Sequence, residues 1–518
     1  MVAPRDRILS GDRLPRAENW EHRVSKAYSV RDLKVHCQEE TLAEILCDPI
    51  AFADLVGAGL WSKQQEILDD LSLYGRVAVR AGHSVGKTRT AAVAALWWVM
   101  SRPDATVLLI APTWSQAKTV DLPEIKRLIR DNPLLGAFCN EYMEMEEFET
   151  VIKFGRGQQS QIRCLSTNDP SRIQGYHGHI LLILDEAAGI RPELFGAFEG
   201  IAAGGAGSVA QLALGNPTVT SGPFFDMFKP TSSWKTHRIG AFDSPNFEGI
   251  TPEQLLEMDN EQLLDNPMPF LISRDFVAGK LREWGADSAA FQSRVLGEFP
   301  SQGSDALIQL DWIENAKAVQ ETTEEFPLII GLDVAAAGSD ETVMVARKGP
   351  NIIGLHRWPH DDPRGEVLNL LNKKYSGVEL VRVDPIGVGA YFEKWLRDQG
   401  VPTLPANVAE KPTRGKGKEF KNMRAEAWWS IRDQFHGGNI GGLDNLRPED
   451  ADDLGGQLTT PKYQYDGQGK LVIESKDAMK RRGVDSPDLA DAFVLAFADV
   501  SRWAPFGDRS DIVTATIR

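Results

Sequence analysis

This 518-residue sequence predicts a two-domain α/β protein. Two strand-like runs carry that expectation: Val77-Ala-Val-Arg-Ala81, which feeds Gly82-His-Ser-Val-Gly-Lys-Thr88, and Leu328-Ile-Ile-Gly-Leu-Asp333 far downstream. The third observation is a rhythm. Between Trp61 and Gly240, apolar runs such as Val107–Ile110, Leu181–Leu184 and Leu212–Leu214 alternate with helical stretches. That alternation marks a mostly parallel sheet with helices on its faces.

The chain divides accordingly. Residues 1–60 form a charged, helix-leaning leader without a readable chemical motif, and residues 61–240 make the first α/β domain. Residues 241–325 are a Pro- and acid-rich helical connector, with a joint at Gln302-Gly-Ser-Asp305. A second α/β pattern fills residues 326–500, and 501–518 read as a tail. No run of about 18 apolar residues occurs, which excludes a membrane-spanning helix. The polar start, Met1 to Arg16, lacks the apolar core of a signal peptide. Cys37, Cys47, Cys139 and Cys164 lie far apart, without zinc or redox spacing, and read as reduced thiols of a cytoplasmic protein. The net charge of −16 is uneven: residues 326–518 hold 26 Lys+Arg against 28 Asp+Glu, so most of the excess acid lies earlier. Any nucleic-acid contact must then come from local basic patches.

The first domain opens on a phosphate-binding pattern. A glycine-rich turn between strand and helix lets backbone N–H groups of Gly82, His83, Ser84, Val85 and Gly86 wrap phosphates, and the helix N-terminus adds partial positive charge. Lys87 is spaced to reach the outer phosphates of ATP and Thr88 to ligate Mg²⁺. Ala81 stands where the strict P-loop pattern has its first glycine, with Gly82 following at once. Leu181-Leu-Ile-Leu-Asp185-Glu186 is the expected second half: Asp185 holds Mg²⁺ through water, and Glu186 orients and deprotonates the attacking water. Gln64 precedes the loop and is a candidate for reading the adenine edge. Asn216, in Gly215-Asn-Pro217, ends another apolar strand and is a candidate γ-phosphate sensor. Arg172 is a candidate source of positive charge in the transition state.

The second domain gathers acid. Asp333 ends its first strand, Asp384 ends the later run Val381-Arg-Val, and Ser486-Pro-Asp488-Leu-Ala-Asp491 opens a late helix. Asp488 and Asp491 are three residues apart, hence on one helical face. Carboxylates that converge from separate elements are what two Mg²⁺ or Mn²⁺ ions need to hydrolyse a phosphodiester. Nearby, Lys411, Arg414, Lys416, Lys418, Lys421 and Arg424 lie on a glycine-softened loop suited to a DNA backbone, and Lys476 with Lys480-Arg-Arg482 repeats the theme.

Taken together, Gly82-His-Ser-Val-Gly-Lys-Thr88, Leu184-Asp-Glu-Ala187, Gly331-Leu-Asp333 and Ser486-Pro-Asp-Leu-Ala-Asp-Ala492 resemble the large terminase subunit of tailed bacteriophages over roughly residues 61–500. The resemblance implies an N-terminal P-loop ATPase of RecA/ASCE type, which pumps double-stranded DNA into a procapsid, and a C-terminal RNase H-like nuclease, which cuts concatemeric DNA. It implies ATP hydrolysis by Lys87, Thr88, Asp185 and Glu186, adenine sensing by Gln64, coupling through Asn216, and Arg172 acting on a neighbouring subunit's nucleotide. Arg80 stands near the loop start, where the family carries a basic residue. Asp333, Asp384 and Asp488 would ligate the nuclease metals, with Asp491 as a further ligand. A small terminase subunit and the capsid portal are the implied partners, the chain being a monomer alone and a ring on the portal, in the host cytoplasm. Two other readings compete: a helicase-like ATPase fused to a Holliday-junction-type nuclease, for which a second RecA-like half is missing, and a nucleotide-switched scaffold without catalysis.

Overall fold

The computed structural model describes residues 45–102, 104–113, 121–155, 159–166, 176, 178–204, 209–301, 306–322, 325–335, 341–359 and 362–503. The expected joint at 302–305, most of the leader and most of the tail lie outside them. In chain order the elements used below begin with α1 (Ser62–Tyr74), β1 (Arg76–Ala81), α2 (Lys87–Ser101), β2 (Ala105–Ala111) and α3 (Leu122–Asp131). Next come β3 (Glu146–Glu147), β4 (Val151–Phe154), β5 (Ser160–Ser166), β6 (His179–Leu184), β7 (Val209–Gly215), β8 (Lys235–Ile239), α4 (Arg274–Trp284) and α5 (Ala289–Arg294). The second α/β region holds β9 (Leu328–Asp333), β10 (Glu341–Lys348), β11 (Asn351–Pro359), α6 (Arg364–Lys373), β12 (Leu380–Val383), α7 (Gly389–Asp398) and β13 (Thr403–Pro405). It ends with α8 (Met423–His436), α9 (Pro448–Thr459), β14 (Tyr463–Tyr465), β15 (Leu471–Ile473), α10 (Lys476–Arg481) and α11 (Asp488–Phe497).

These residues form two compact units, one drawn from residues up to 73, 88–183 and 198–210, the other from 74–87, 184–197 and 211 onward. In the first unit the strands run in the order β3-β4-β5-β2-β6. β2 and β5 are parallel, whereas β4 turns back antiparallel on β5 and β3 on β4, an antiparallel edge on the mostly parallel sheet that the sequence predicts. β6 is buried from Ile180 to Leu184, as its unbroken apolar run requires of a strand covered on both faces. α2 is apolar nearly all round, with residues 90–100 buried, and its Trp98 indole N–H donates to His179 O at 3.2 Å.

In the second unit β1 lies between β7 and β8, parallel to both. A separate five-stranded sheet has the order β11-β10-β9-β12-β13, with β9, β12 and β13 parallel and β10 and β11 antiparallel. Side-chain alternation gives it two buried faces. Ile330, Leu332, Val381 and Val383 pack with Val367, Phe392 and Leu396 of α6 and α7. Val343 and Val345 pack on the other side with Trp428, Phe493 and Phe497 of α8 and α11. Gly331 is where α11 crosses β9: a Cβ there would collide with Ala492 O and Ala496 N.

Two arginines inside this core are unexpected. Arg382 of β12 donates to Leu495 O at 3.0 Å, Ala498 O at 3.1 Å and Trp503 O at 2.8 Å, and Arg347 of β10 donates to Ala496 O at 2.6 Å. Each satisfies carbonyls that the end of α11 leaves orphaned. Burial, and then each other's charge, bring the Arg382 guanidinium down to about 9. Among the described residues no helix is long and apolar enough to cross a membrane.

Candidate functional site

The loop after β1 is held in an unusual conformation by backbone rather than side chains. Ser84 (φ 50°) and Gly86 (φ 94°) are left-handed, which turns successive N–H groups toward one side. Gly82 N donates to Ile239 O at 2.8 Å, His83 N to Arg294 O at 2.6 Å, and Ser84 O accepts from Ile272 N at 2.8 Å. A side chain at Gly82 would stand 2.7 Å from Val295 O, so only glycine permits this support. The connector expected merely to link the domains therefore also backs the loop.

Lys87 points across the loop's mouth. Its ammonium donates to Gly82 O at 2.9 Å and to Asn216 Oδ1 at 3.3 Å, and lies 3.9 Å from Glu186 Oε1. The Asn216 amide is buried and donates to Ala81 O at 2.6 Å, joining the ends of β7 and β1. Asp185 is buried just after β6, and Glu186 takes a left-handed φ of 46°, a costly conformation for a non-glycine residue. Val85 is buried beneath the loop, and Thr88 occupies the second position of α2. His83 Nδ1 lies 3.5 Å from Asp452 Oδ2 of α9, and burial pushes its imidazole down to about 4 against the pull of that carboxylate.

Three of the sequence candidates stand differently. Gln64 is buried in the other unit, where its amide accepts from Trp61 N at 3.2 Å and donates to Thr90 Oγ1 at 3.2 Å. Arg80 is paired with Glu298 at 2.6 Å and lies over the Phe299 ring. Arg172 lies outside the described residues.

The acidic constellation forms at one end of the five-stranded sheet. Asp333 ends β9, and Asp384 follows β12, its N–H donating to Leu332 O at 3.3 Å, so the two carboxylates leave neighbouring parallel strands side by side. α11 starts there with Asp488, whose Oδ2 accepts from Glu341 N at 3.2 Å. The Lys476 ammonium of α10 sits among them, 2.8 Å from Asp491, 3.6 Å from Asp488 and 3.9 Å from Asp333. Arg424 Nη1 is 3.8 Å from Asp491 Oδ1.

These neighbours split the carboxylates electrostatically. Burial raises Asp333 to about 8, with the other carboxylates adding to the rise and Lys476 opposing it. Burial also raises Asp384, against the Ile386 N–H that donates to it. Asp491 behaves oppositely: burial would raise it, but Arg424, Lys476 and the Trp428 indole together hold it below the usual carboxylate value. Among the described residues no three His, Cys, Asp or Glu side chains stand close enough to hold a metal ion without adjustment. The Lys476 cation is what the carboxylates converge on. All of the oxygens belong to the hard donor class that Mg²⁺ and Mn²⁺ prefer, and an under-compensated buried acid cluster favours added positive charge.

The basic loop is only partly free. Lys416 pairs with Glu426 at 3.5 Å and Lys421 with Asp466 at 3.4 Å, Arg424 turns inward, and Lys411, Arg414 and Lys418 are exposed. In the cluster beyond it, Arg482 is tied to Glu474 at 2.9 Å. The sequence singled out Lys476 and Arg424 as DNA contacts; their place against the carboxylates had no signal in spacing, because the partners are brought together only by the sheet.

No protein-family model matches the chain. It is 26% identical over 316 residues to a probable large terminase subunit of Enterobacteria phage P7, a match that spans 59% of this chain and 59% of that relative. Among solved structures, the large terminase of the thermophilic bacteriophage D6E is 10% identical, with 83% of this chain and 98% of that one covered and a TM-score of 0.37. The ATPase domain of the Thermus phage P74-26 large terminase is 19% identical over 48% of this chain and 97% of that one, at a TM-score of 0.33. The nuclease domain of the large terminase subunit of bacterial virus Sf6 is 18% identical over 36% of this chain and 96% of that one, at 0.33. The chain is thus similar to phage large terminase subunits, the family its motifs resemble.

Proposed function

We propose that this chain is the large subunit of a phage DNA-packaging terminase, which couples ATP hydrolysis to movement of double-stranded DNA into a procapsid and cuts the concatemeric genome with a metal-dependent endonuclease. One observation carries the reading: a phosphate loop with Lys87, Asn216 and Glu186 at its mouth, and a cluster of four carboxylates at one end of a separate sheet, occur in one chain. The curated similarity supports it in the same direction.

At the loop, Lys87 already rests on two oxygen acceptors, Gly82 O and Asn216 Oδ1, which it would exchange for phosphate oxygens. Thr88 and Asp185 are the residues that would hold Mg²⁺. Glu186 would take the proton of the attacking water, and Asn216, bonded to both Ala81 and Lys87, would register whether the outer phosphate is present. Gln64 would read the adenine edge, its side chain positioned by Trp61 and Thr90.

At the acidic cluster, Asp333, Asp384 and Asp488 are the residues that would hold two divalent ions, with Asp491 beside them. When bound, such ions supply an activated water and charge stabilisation for phosphodiester cleavage. Asp333 must release its proton to join them, and Lys476 must give up part of its hold. Exposed Lys411, Arg414 and Lys418 supply the sequence-independent attraction to a DNA backbone. A small terminase subunit, the capsid portal, a ring of copies and the host cytoplasm complete the proposed setting.

The test is plasmid cleavage by purified protein with Mn²⁺ and without ATP, beside Asp384→Asn and Lys87→Ala. Cleavage by wild type and Lys87→Ala, but not by Asp384→Asn, is the expected result. No cleavage, or equal cleavage by all three, would remove the nuclease from the proposal and leave an ATPase of unknown purpose.

A further inference from the structure

The turn that follows Asp384 and the start of α7 carry three large apolar side chains into solvent. Ile386 is 53% exposed, Val388 38% and Tyr391 81%, within one short stretch of Asp384-Pro-Ile-Gly-Val-Gly-Ala-Tyr391. Single exposed apolar residues are ordinary, but a cluster on one turn marks a contact surface.

This turn is built rigidly. Ile386 N–H donates to Asp384 Oδ1 at 3.1 Å, Gly387 is left-handed at φ 66°, and a Cβ at Gly389 would collide with Asp384 O. The apolar tip is therefore fixed to the Asp384 carboxylate. Ile386 is two residues from Asp384, so the two Cα atoms are at most about 7 Å apart, roughly two base-pair steps of a duplex.

Exposed cations stand on the neighbouring segments. Lys394 lies three residues beyond Tyr391 on α7 and is exposed on the same face. On the adjoining strand, Ala406 N donates to Val383 O at 2.8 Å, so the loop bearing Lys411, Arg414 and Lys418 leaves the sheet beside Asp384. An apolar tip flanked by exposed cations complements a DNA duplex, whose backbones are anionic and whose base stack is apolar.

We infer that Ile386, Val388 and Tyr391 form a wedge that inserts against the bases flanking the scissile phosphate and loosens their stacking, while the flanking lysines hold the backbones. The inference rests on the nuclease reading of the acidic cluster. The wedge supplies deformation where the carboxylates supply chemistry, so cleavage favours sites where the duplex opens easily.

The test compares wild type, an Ile386→Ser/Tyr391→Ala double variant and a conservative Ile386→Leu/Tyr391→Phe variant, all as the full chain with Mn²⁺. Each is given a fully paired duplex and the same duplex with a central mismatch that is already unstacked. The double variant should cut the paired duplex about tenfold more slowly while losing less than about threefold on the mismatched one, and the conservative variant should keep both rates. Undiminished cleavage of the paired duplex would overturn the wedge and leave the face to a protein partner. Equal losses on both substrates would also overturn it. If the folded wild type cuts neither duplex, the nuclease reading itself fails and takes the wedge with it. Should the double variant melt earlier than wild type, Tyr391→Ala alone, changed at an 81% exposed position, gives the same comparison.

Discussion

Gly331→Ala should separate the two halves of this chain. Gly331 lies in the middle of β9, two residues before Asp333, and α11 crosses it with Ala492 O and Ala496 N directly above. A methyl group there falls well inside the 3.0 Å that Cβ atoms keep from other heavy atoms, and both obstacles are backbone, which cannot rotate away. α11 must back off by roughly 1 Å, an overpacking that costs about 1–3 kcal/mol. The same retreat carries Asp488 and Asp491, at the start of α11, away from Asp333 on β9. A misplacement of about 1 Å in a catalytic constellation lowers rates by about 100-fold. Lys87, Asn216 and Glu186 bond to one another and to the loop rather than directly to β9 or α11, and they reach α11 only at second hand through Arg294 and α9. Plasmid cleavage with Mn²⁺, ATP turnover and denaturant unfolding, run on one preparation, would read all three effects. Cleavage within about threefold of wild type, in protein that unfolds at its usual midpoint, would refute the reasoning that α11 and β9 jointly set the carboxylate geometry.

Other expectations follow from the same contacts. Arg382→Met keeps the volume but strands the carbonyls of Leu495, Ala498 and Trp503, and should destabilise the chain by about 3–5 kcal/mol, read from the shift in urea midpoint. Asn216→Ala should lower ATP turnover about tenfold or more with little change in nucleotide affinity, because it removes the link between Lys87 and Ala81 but no loop N–H. His83 sits near 4 in the folded chain and near its ordinary value unfolded, so below that ordinary value the unfolded state binds the extra proton. Stability should therefore rise with pH between about 4 and 6.5 and be lost as pH falls, by roughly 1–3 kcal/mol, a slope that His83→Gln should flatten in thermal melts across that window.

Local patterning made part of this molecule legible. The run Val77–Ala81, the small-residue turn and the Ala-rich helix announce strand, loop and helix because each obeys a short-range rule. Asp333, Asp384 and Asp488 were legible as strand ends and a helix start for the same reason. What stayed hidden depends on pairs far apart in sequence. Arg382 reads as one polar letter in a strand, yet its acceptors lie more than a hundred residues on. Lys476 reads as a surface lysine until the sheet brings Asp333 and Asp491 to it. Gln64 was legible as a notable polar residue before the loop, but its engagement with Trp61 and Thr90 is a matter of tertiary packing. The β3–β4 hairpin went unread because strands of two and four residues leave almost no pattern.

The backing of the phosphate loop bears on how such a chain can be recombined. Ile239, Ile272 and Arg294 hold the loop's backbone, and Arg294 in turn donates to Asp452 O of α9 at 2.9 Å. The far end of α9 presents Gln457, whose side-chain oxygen accepts from Leu489 N at 2.8 Å at the start of α11. A crossover at residue 240, where the sequence changes character, would sever the first of these supports from the rest. A foreign second half grafted near 325 would have to bring its own version of α9. The junctions that look like seams in the sequence are thus poor places to cut, and exchange between relatives should succeed only when the loop, the connector and α9 travel together.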